Sequence, residues 1–451
     1  MPGEQAPETL ATTGSTCFRD SIDHAWLAFV PCGSRHDEIY ALKPKLFYGW
    51  IVVWAAFVCM LVIFGCAYSF AAFFQSFATE FSAQRADVAL VFGLSGLLYF
   101  MLGAPSGMLA DRFGPRATCT AGMIVLAVGL FCASYAQSLQ LIYLAYGLGI
   151  GLGVALVYTP AMGAVLPWFV ARRGLASGIA SSGIGAGTLL IPVAAAALIS
   201  ATDWRNGMRM MALAVALIGL TSAWLMEKNP ARRGLGPDGA PPAESSRSAA
   251  HSAMSGLTLR EALSTARFWW LFASIFACAP TMFTPFAHIA VHAQDLGISN
   301  ATAVSLVGLI GIGSLIGRFG IGALADRLGR IRTLIMLECL LAGTYLLWWG
   351  APGYGVLATF ALTFGLCYGG IVSLLPPICM DLFGGRAVSG VIGVQYSAAA
   401  VGNLAGPVAA GAAFDLYGSY TPVMIGCAIS SALAITACWR LLRITRDLQT
   451  L

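Results

Sequence analysis

Charge is what this sequence has least of. Of 451 residues, 10% are Asp, Glu, Lys or Arg and 58% are hydrophobic, with a mean hydropathy of +0.79. Water-soluble domains carry about 25% charged residues, so a packed soluble core is excluded. The patterns that carry metal or redox chemistry are missing too. The 12 cysteines are scattered, mostly through apolar runs, as at Cys59, Cys66, Cys278 and Cys379. No CxxC or Cys/His spacing builds a metal site or a disulfide framework, so they read as small hydrophobes. Paired carboxylates, a His/Asp cluster or a nucleophile beside a base are absent from the apolar runs, which argues against an enzyme and predicts no cofactor. The start of the chain shows no signal peptide, because its one apolar patch, "AWLAFVPCG", is short and follows Asp20 and Asp23. The tails and linker are too short and polar for an added signalling domain, which argues against a sensor.

What the sequence has is apolar length. Twelve runs reach the roughly 20 residues that span a bilayer. The first six are Phe47–Ala78, Val88–Leu109, Ala117–Tyr135, Leu139–Trp168, Gly174–Ile199 and Met208–Met226. The last six are Phe268–Val291, Ala301–Leu324, Thr333–Gly350, Tyr354–Met380, Val388–Phe414 and Thr421–Leu441. Residues 1–44 form a polar tail, 45–226 and 267–441 two bundles, 227–266 a Pro/Gly/Ser/Ala-rich linker that reads as flexible, and 442–451 a short C-tail. The expected fold is an all-α polytopic membrane protein of two pseudo-symmetric six-helix bundles.

Basic residues fix an expected orientation. With the N-terminus inside, 21 Lys and Arg fall in cytoplasmic segments and three, Arg85, Arg205 and Arg209, in outer loops. That asymmetry predicts both termini inside an inner or plasma membrane. It also accounts for the net charge of +5, with no need of a nucleic-acid partner. One basic residue is left over, and it is Arg318.

The two halves repeat. "GMLADRFGPR" (Gly107–Arg116) returns as "GALADRLGRIR" (Gly322–Arg332), with Asp111 and Asp326 215 residues apart. "RRGLASG" (Arg172–Gly178) is echoed by "GGRAVSG" (Gly384–Gly390). Two matched copies point to a duplicated secondary transporter. In these turns the Asp is expected at a helix N-terminus, pairing with a base across the gap, and Asp111, Arg112, Arg116, Asp326 and Arg327 are the gating candidates. A generic positively charged loop is the plain alternative.

This doubled pattern resembles the signature of the major facilitator superfamily between helices 2 and 3 and again between 8 and 9. The resemblance covers nearly all of Phe47 to Leu441. Finer features are similar to the monocarboxylate transporter family and its bacterial oxalate/formate-antiporter relatives. They are "YGWIVVWAAF" in span 1, "WFVARRGLASGIASSGIGAG" opening span 5, "HIAVHAQDLGIS" ending span 7 and "FGLCYGGIVSLLPPICMDLFG" in span 10. The resemblance implies alternating access by rocking bundles, proton symport or anion antiport, and a small carboxylate as substrate.

Arg318 lies eight residues before Asp326, roughly 12 Å into the membrane. A mid-bilayer arginine costs about 2.5–3.5 kcal/mol. A substrate carboxylate could accept its forked N–H groups and offset that cost, and the resemblance implies this role. An ion pair with Glu338, the one acidic residue well inside a run, is the rival. The repeat partner of Arg318 is Gly103, so the fold itself does not require an arginine there. The resemblance also marks departures. Ser314 stands where mammalian-type members have an Asp, Tyr68 where they have a Lys, and Ala398 where the oxalate exchanger type has a second cation. One buried cation fits a monocarboxylate better than a dicarboxylate, whose second charge would be unpaired. A dicarboxylate/formate exchanger and a drug-efflux carrier are the competing functions.

Proton coupling then needs another carrier. His288 is the candidate, with a satisfied helix histidine as the plain alternative. Other candidate lining groups are Tyr68, Tyr99, Tyr158, Tyr368, Ser373, Gln395, Tyr396 and Asn403, each equally able to hold helices together. Four glycines at period two in "YGLGIGLG" (Tyr146–Gly153) predict close approach on several sides. Pro280, Pro285, Pro376 and Pro377 predict kinks.

Overall fold

The computed structural model describes residues 47–170, 172–239, 256–384 and 386–447. The tail 1–44, the middle of the linker and the last four residues lie outside the described residues. The described residues form one compact unit. Among the described residues, eleven helices are long and apolar enough to cross a membrane, and a bent pair, taken as one span, makes a twelfth.

The first half holds α1 (Tyr48–Glu80), α2 (Arg85–Met101 and Gly103–Phe113), α3 (Pro115–Ala133), α4 (Leu139–Trp168), α5 (Gly174–Ala201) and α6 (Trp204–Trp224). The second holds α7 (Ala266–Asp295), α8 (Asn300–Leu328), α9 (Arg330–Trp349), α10 (Tyr354–Phe383), α11 (Val388–Tyr417) and α12 (Thr421–Asp447). The expected spans recur in order, α4 with the same ends.

The second run bends by 51° between Met101 and Gly103. Pro105 has no N–H for the Met101 carbonyl, and its ring crowds that oxygen. α7 remains helical through Pro280 and Pro285, and α10 through Pro376 and Pro377. The carbonyl freed by Pro285 finds another donor. Pro285 leaves Thr281 without its helical partner, and the Tyr345 hydroxyl of α9 donates to that oxygen at 2.6 Å. In a lipid core such substitutes are obligatory, because no water can satisfy the backbone.

The halves meet along two matched seams, α2 against α11 and α8 against α5. Small residues set the spacing. In α4, Gly147 and Gly151 face Leu94 and Leu98 of α2, while Gly149 and Gly153 face Gly129 and Leu126 of α3. The period of two thus serves two neighbours on opposite sides, as the sequence predicted.

The described ends of the linker are structured, which corrects the reading of 227–266 as flexible throughout. Arg233 lies 3.8 Å over the Tyr48 ring. Trp168 donates to the Glu227 carbonyl at 2.7 Å, and the Val170 N–H donates to Asp238 at 2.8 Å. At the other end the Leu257 N–H donates to the Phe383 carbonyl at 2.8 Å. A short helix follows at Leu259–Leu263, opened by a Thr258–Glu261 capping box. The Thr258 backbone N–H and hydroxyl hold the Glu261 carboxyl below the usual carboxylate range. Linker ends therefore dock beside the turns after α4 and α10, the places of the two echoed motifs.

Candidate functional site

Helix α8 carries Arg318 into the protein, one turn after Ser314. The Arg318 Nε donates to the Ser314 hydroxyl at 3.3 Å. Its Nη2 is buried and has no partner. Tyrosines from both halves surround it. The hydroxyls of Tyr68 on α1 and Tyr368 on α10 are 2.7 Å apart. Tyr158 on α4 and Tyr396 on α11 approach to 3.4 Å. The guanidinium is near enough to Tyr68, Tyr368 and Tyr396 for its charge to act on their hydroxyls. Tyr99 of α2 lies near Tyr68 and Tyr368, and its buried hydroxyl has no bonding partner. Phenyl rings fill the gaps. Phe286 stacks on Tyr68 with centroids 4.1 Å apart, and Phe64 sits edge-on to Tyr158 at 5.5 Å. Six of the expected residues, Arg318, Tyr68, Tyr99, Tyr158, Tyr368 and Tyr396, thus form one cage with unspent donors.

The other four lie elsewhere or point elsewhere. Gln395 donates to the Phe268 carbonyl at 3.1 Å, tying α11 to the start of α7. Ser373 donates to the Gly370 carbonyl of its own helix at 2.9 Å. Asn403 is fully buried, and neither amide atom is bonded. Its amide presses on Gly96 of α2, where an added Cβ would stand 1.5 Å from Nδ2. His288 bonds to Tyr420 at 3.1 Å and to the Pro407 carbonyl at 2.8 Å, so both ring nitrogens are engaged away from the tyrosine cage.

The rival pairing of Arg318 with Glu338 is not formed. Glu338 is 2% exposed and accepts from Ser274 of α7 at 2.8 Å. Its face of α9 turns toward α7 and α12, while Arg318 faces the seam between the halves. The rotational phase of α9 turns the carboxylate away from α8 and toward Ser274.

The gating candidates also differ from expectation. Asp111 and Asp326 lie in the last turns of their helices, not at N-termini. Gly114 (φ 87°) and Gly329 (φ 90°) reverse the chain just after them. Asp111 pairs with Lys228 at 2.5 Å, and Arg116 reaches Glu227 at 3.9 Å, both beyond the end of α6. Asp326 pairs with Arg330 at 3.5 Å, and Arg330 with Asp381 of α10 at 2.5 Å. Arg112 lies over the adjoining Phe113 ring at 5.2 Å, and Arg327 is exposed. These pairs brace each half internally at the linker end.

A contact between halves lies at the opposite end, and the sequence reading did not find it. Arg85, at the start of α2, binds both oxygens of Asp295 of α7, at 2.6 and 2.7 Å. Its Nη1 also donates to Tyr420 at 2.8 Å, and its guanidinium lies 3.7 Å over the Phe414 ring. The Arg85 and Ala86 backbone N–H groups, unsatisfied at a helix start, donate to Asp415 of α11 at 3.1 and 2.9 Å. The available signal was weak: Arg85 is one of three bases outside the positive side.

The family model of the Major Facilitator Superfamily matches residues 55–407. Monocarboxylate transporter 13 of Rattus norvegicus is 30% identical over 391 residues, covering 83% of this chain and 84% of its own. The chain belongs to the major facilitator superfamily, in its monocarboxylate transporter-like family. Monocarboxylate transporter 12 of the same organism is 26% identical over 412 residues, covering 86% of this chain and 84% of its own. The MFS-type transporter opdF of Penicillium oxalicum is 28% identical over 384 residues, covering 82% and 85%. A solved bacterial homologue of the human lysosomal transporter Spinster, inward-facing and unoccupied, superposes with a TM-score of 0.67 at 16% identity, covering 89% of this chain and 98% of that one. That likeness bears on the fold. As a superfamily member this chain is a multi-pass membrane transporter and not an enzyme.

Proposed function

We propose that this transporter carries a small organic monoanion by alternating access, with Arg318 holding the carboxylate. The observation that carries the reading is the buried, unpartnered Nη2 of Arg318. A guanidinium held by one serine has donors left for a bidentate carboxylate. Glu338, the acid that could have consumed them, is turned to Ser274. Tyr68 and Tyr368 close the cage on one side with a bond between halves, and Tyr158 and Tyr396 flank it on the other. One cation matches one negative charge, so a monocarboxylate is preferred to a dicarboxylate.

The positive-inside bias assigns the linker end and both termini to the cytoplasm of an inner or plasma membrane. On that assignment the Arg85–Asp295 end faces outward and is closed here. Substrate moves with a proton or in exchange for another anion, and uptake with and without an imposed pH gradient separates the two. The deciding experiment is counterflow of labelled monocarboxylates into proteoliposomes, paired with thermal-shift screening of mono- and dicarboxylates. Saturable monocarboxylate uptake that is lost in Arg318→Ala, in a variant that still folds, is expected. Equal stabilisation by dicarboxylates, or uptake indifferent to Arg318, overturns the proposal.

A further inference from the structure

The contact at the outer end is wired to a histidine in a way that fixes its protonation state. Arg85 belongs to the first half; its socket belongs to the second. The socket consists of Asp295 and His292 on α7, Asp415 and Phe414 on α11, Tyr420 in the turn before α12, and His288 behind Tyr420. Phe74 of α1 covers the His288 ring edge-on at 5.6 Å and brings no charge.

Donor and acceptor roles in this chain follow from the partners. A carbonyl oxygen only accepts, so the 2.8 Å contact to Pro407 requires a proton on His288 Nε2. A neutral imidazole has one N–H, so Nδ1 is bare and accepts from the Tyr420 hydroxyl at 3.1 Å. The Tyr420 oxygen in turn accepts from Arg85 Nη1 at 2.8 Å. The relay therefore has one polarity: Arg85 to Tyr420 to His288 to Pro407. It is complete only while His288 is neutral.

Adding a proton at Nδ1 breaks it in two ways. Nδ1–H and Nη1–H then both point at the phenol oxygen, and the phenol proton, displaced from Nδ1, loses its acceptor. The socket also gains a positive charge on the side facing the Arg85 guanidinium. Asp295 and Asp415 gave it two negative charges to receive Arg85; with charged His288 the net is one. We propose that His288 is an external proton site whose protonation releases Arg85 from its socket and opens the outer end, so that acid outside favours loading. The proton comes from the outer water, sits on Nδ1 while the end is open, and must return to water before the socket can close again. The inward or outward sense rests on the orientation given above; the release of Arg85 does not, nor does it depend on which solute is carried.

The test reads the latch itself. The N–H groups of Arg85 and Ala86 exchange with solvent slowly only while Asp415 caps them. Hydrogen–deuterium exchange of the segment containing them is measured on the full-length protein in nanodiscs, without substrate, from about pH 7.5 to pH 4.5. Wild type is compared at each pH with His288→Gln, which keeps one donor and one acceptor but takes no charge, so the intrinsic pH dependence of exchange cancels. Arg85→Gln serves as the released reference. We expect wild-type protection to fall about tenfold or more toward that reference at low pH, while His288→Gln stays protected. Equal protection of wild type and His288→Gln across the range overturns the proposal. So does loss of the response in His292→Gln with His288 intact. Should His288→Gln fail to fold, His288→Asn, with the same pair of groups, takes its place. Because no substrate is present, a failure of monocarboxylate transport leaves this result standing, and the reverse.

Discussion

The hydroxyls of Tyr68 and Tyr368, 300 residues apart in sequence, lie 2.7 Å from one another and join the two halves beside Arg318. One hydrogen bond of this kind contributes about 0.5–1.5 kcal/mol. Tyr68→Phe and Tyr368→Phe are expected to change apparent substrate affinity by a similar factor, and the double variant by no more than either single one, since one bond is lost in all three. Additive effects in a double-mutant cycle on uptake show that the tyrosines act separately.

Arg318 and Glu338 are predicted to be uncoupled. Arg318→Lys loses the planar fork and weakens carboxylate binding by about tenfold or more. Glu338→Gln, which can still accept from Ser274, leaves KM within about twofold. Uptake kinetics on the two variants decide it, and a Glu338→Gln defect as large as that of Arg318→Lys reinstates the ion pair.

Pro285 and Tyr345 form a compensated pair. Tyr345→Phe strips the Thr281 carbonyl of its remaining donor and is expected to cost about 1–3 kcal/mol. Pro285→Ala supplies a backbone N–H, so adding it to Tyr345→Phe should restore most of the loss. Thermal unfolding in detergent measures both, and a double variant as unstable as the single one refutes the compensation.

These three cases show what a sequence gives away. The twelve spans and the duplicated Asp-Arg turns were legible because each is written in a short local pattern. Arg318 was legible because topology accounted for every other base. Phase was not: whether Glu338 faces α8 or α12 depends on how α9 is rotated, and its apolar residues do not mark one face. Partners far off in the chain were not legible either. His288 takes its meaning from Pro407 and Tyr420, 119 and 132 residues away. Arg85 resembled any outer-loop base until its socket on the other half was seen.

Gly96→Ala is predicted to destabilise this form, closed at the Arg85 end. Its Cβ would stand 1.5 Å from Asn403 Nδ2, and overpacking of a buried seam costs about 1–3 kcal/mol. Asn403→Ala removes the obstacle and two unbonded amide atoms together, so the double variant should unfold at or above the wild-type temperature. A double variant no more stable than Gly96→Ala refutes the contact.

The Asp111–Lys228 pair is exposed and contributes about 0–1 kcal/mol to stability. Asp111→Lys is expected to fold normally and to transport poorly, and Lys228→Asp in the same protein to recover uptake. Absence of recovery, measured in proteoliposomes, removes the pair from the gating cycle.

Asp415 caps the first turn of α2 from the other half of the molecule. If the Arg85 end parts as proposed, that turn loses its cap, and two backbone donors pass to water. The start of α2 should then fray, leaving the helix shorter in the outward-open form than in the closed one. Each transport cycle would unravel and rebuild that turn, so the opening rate should respond to helix propensity at Ala86, a position that touches no substrate.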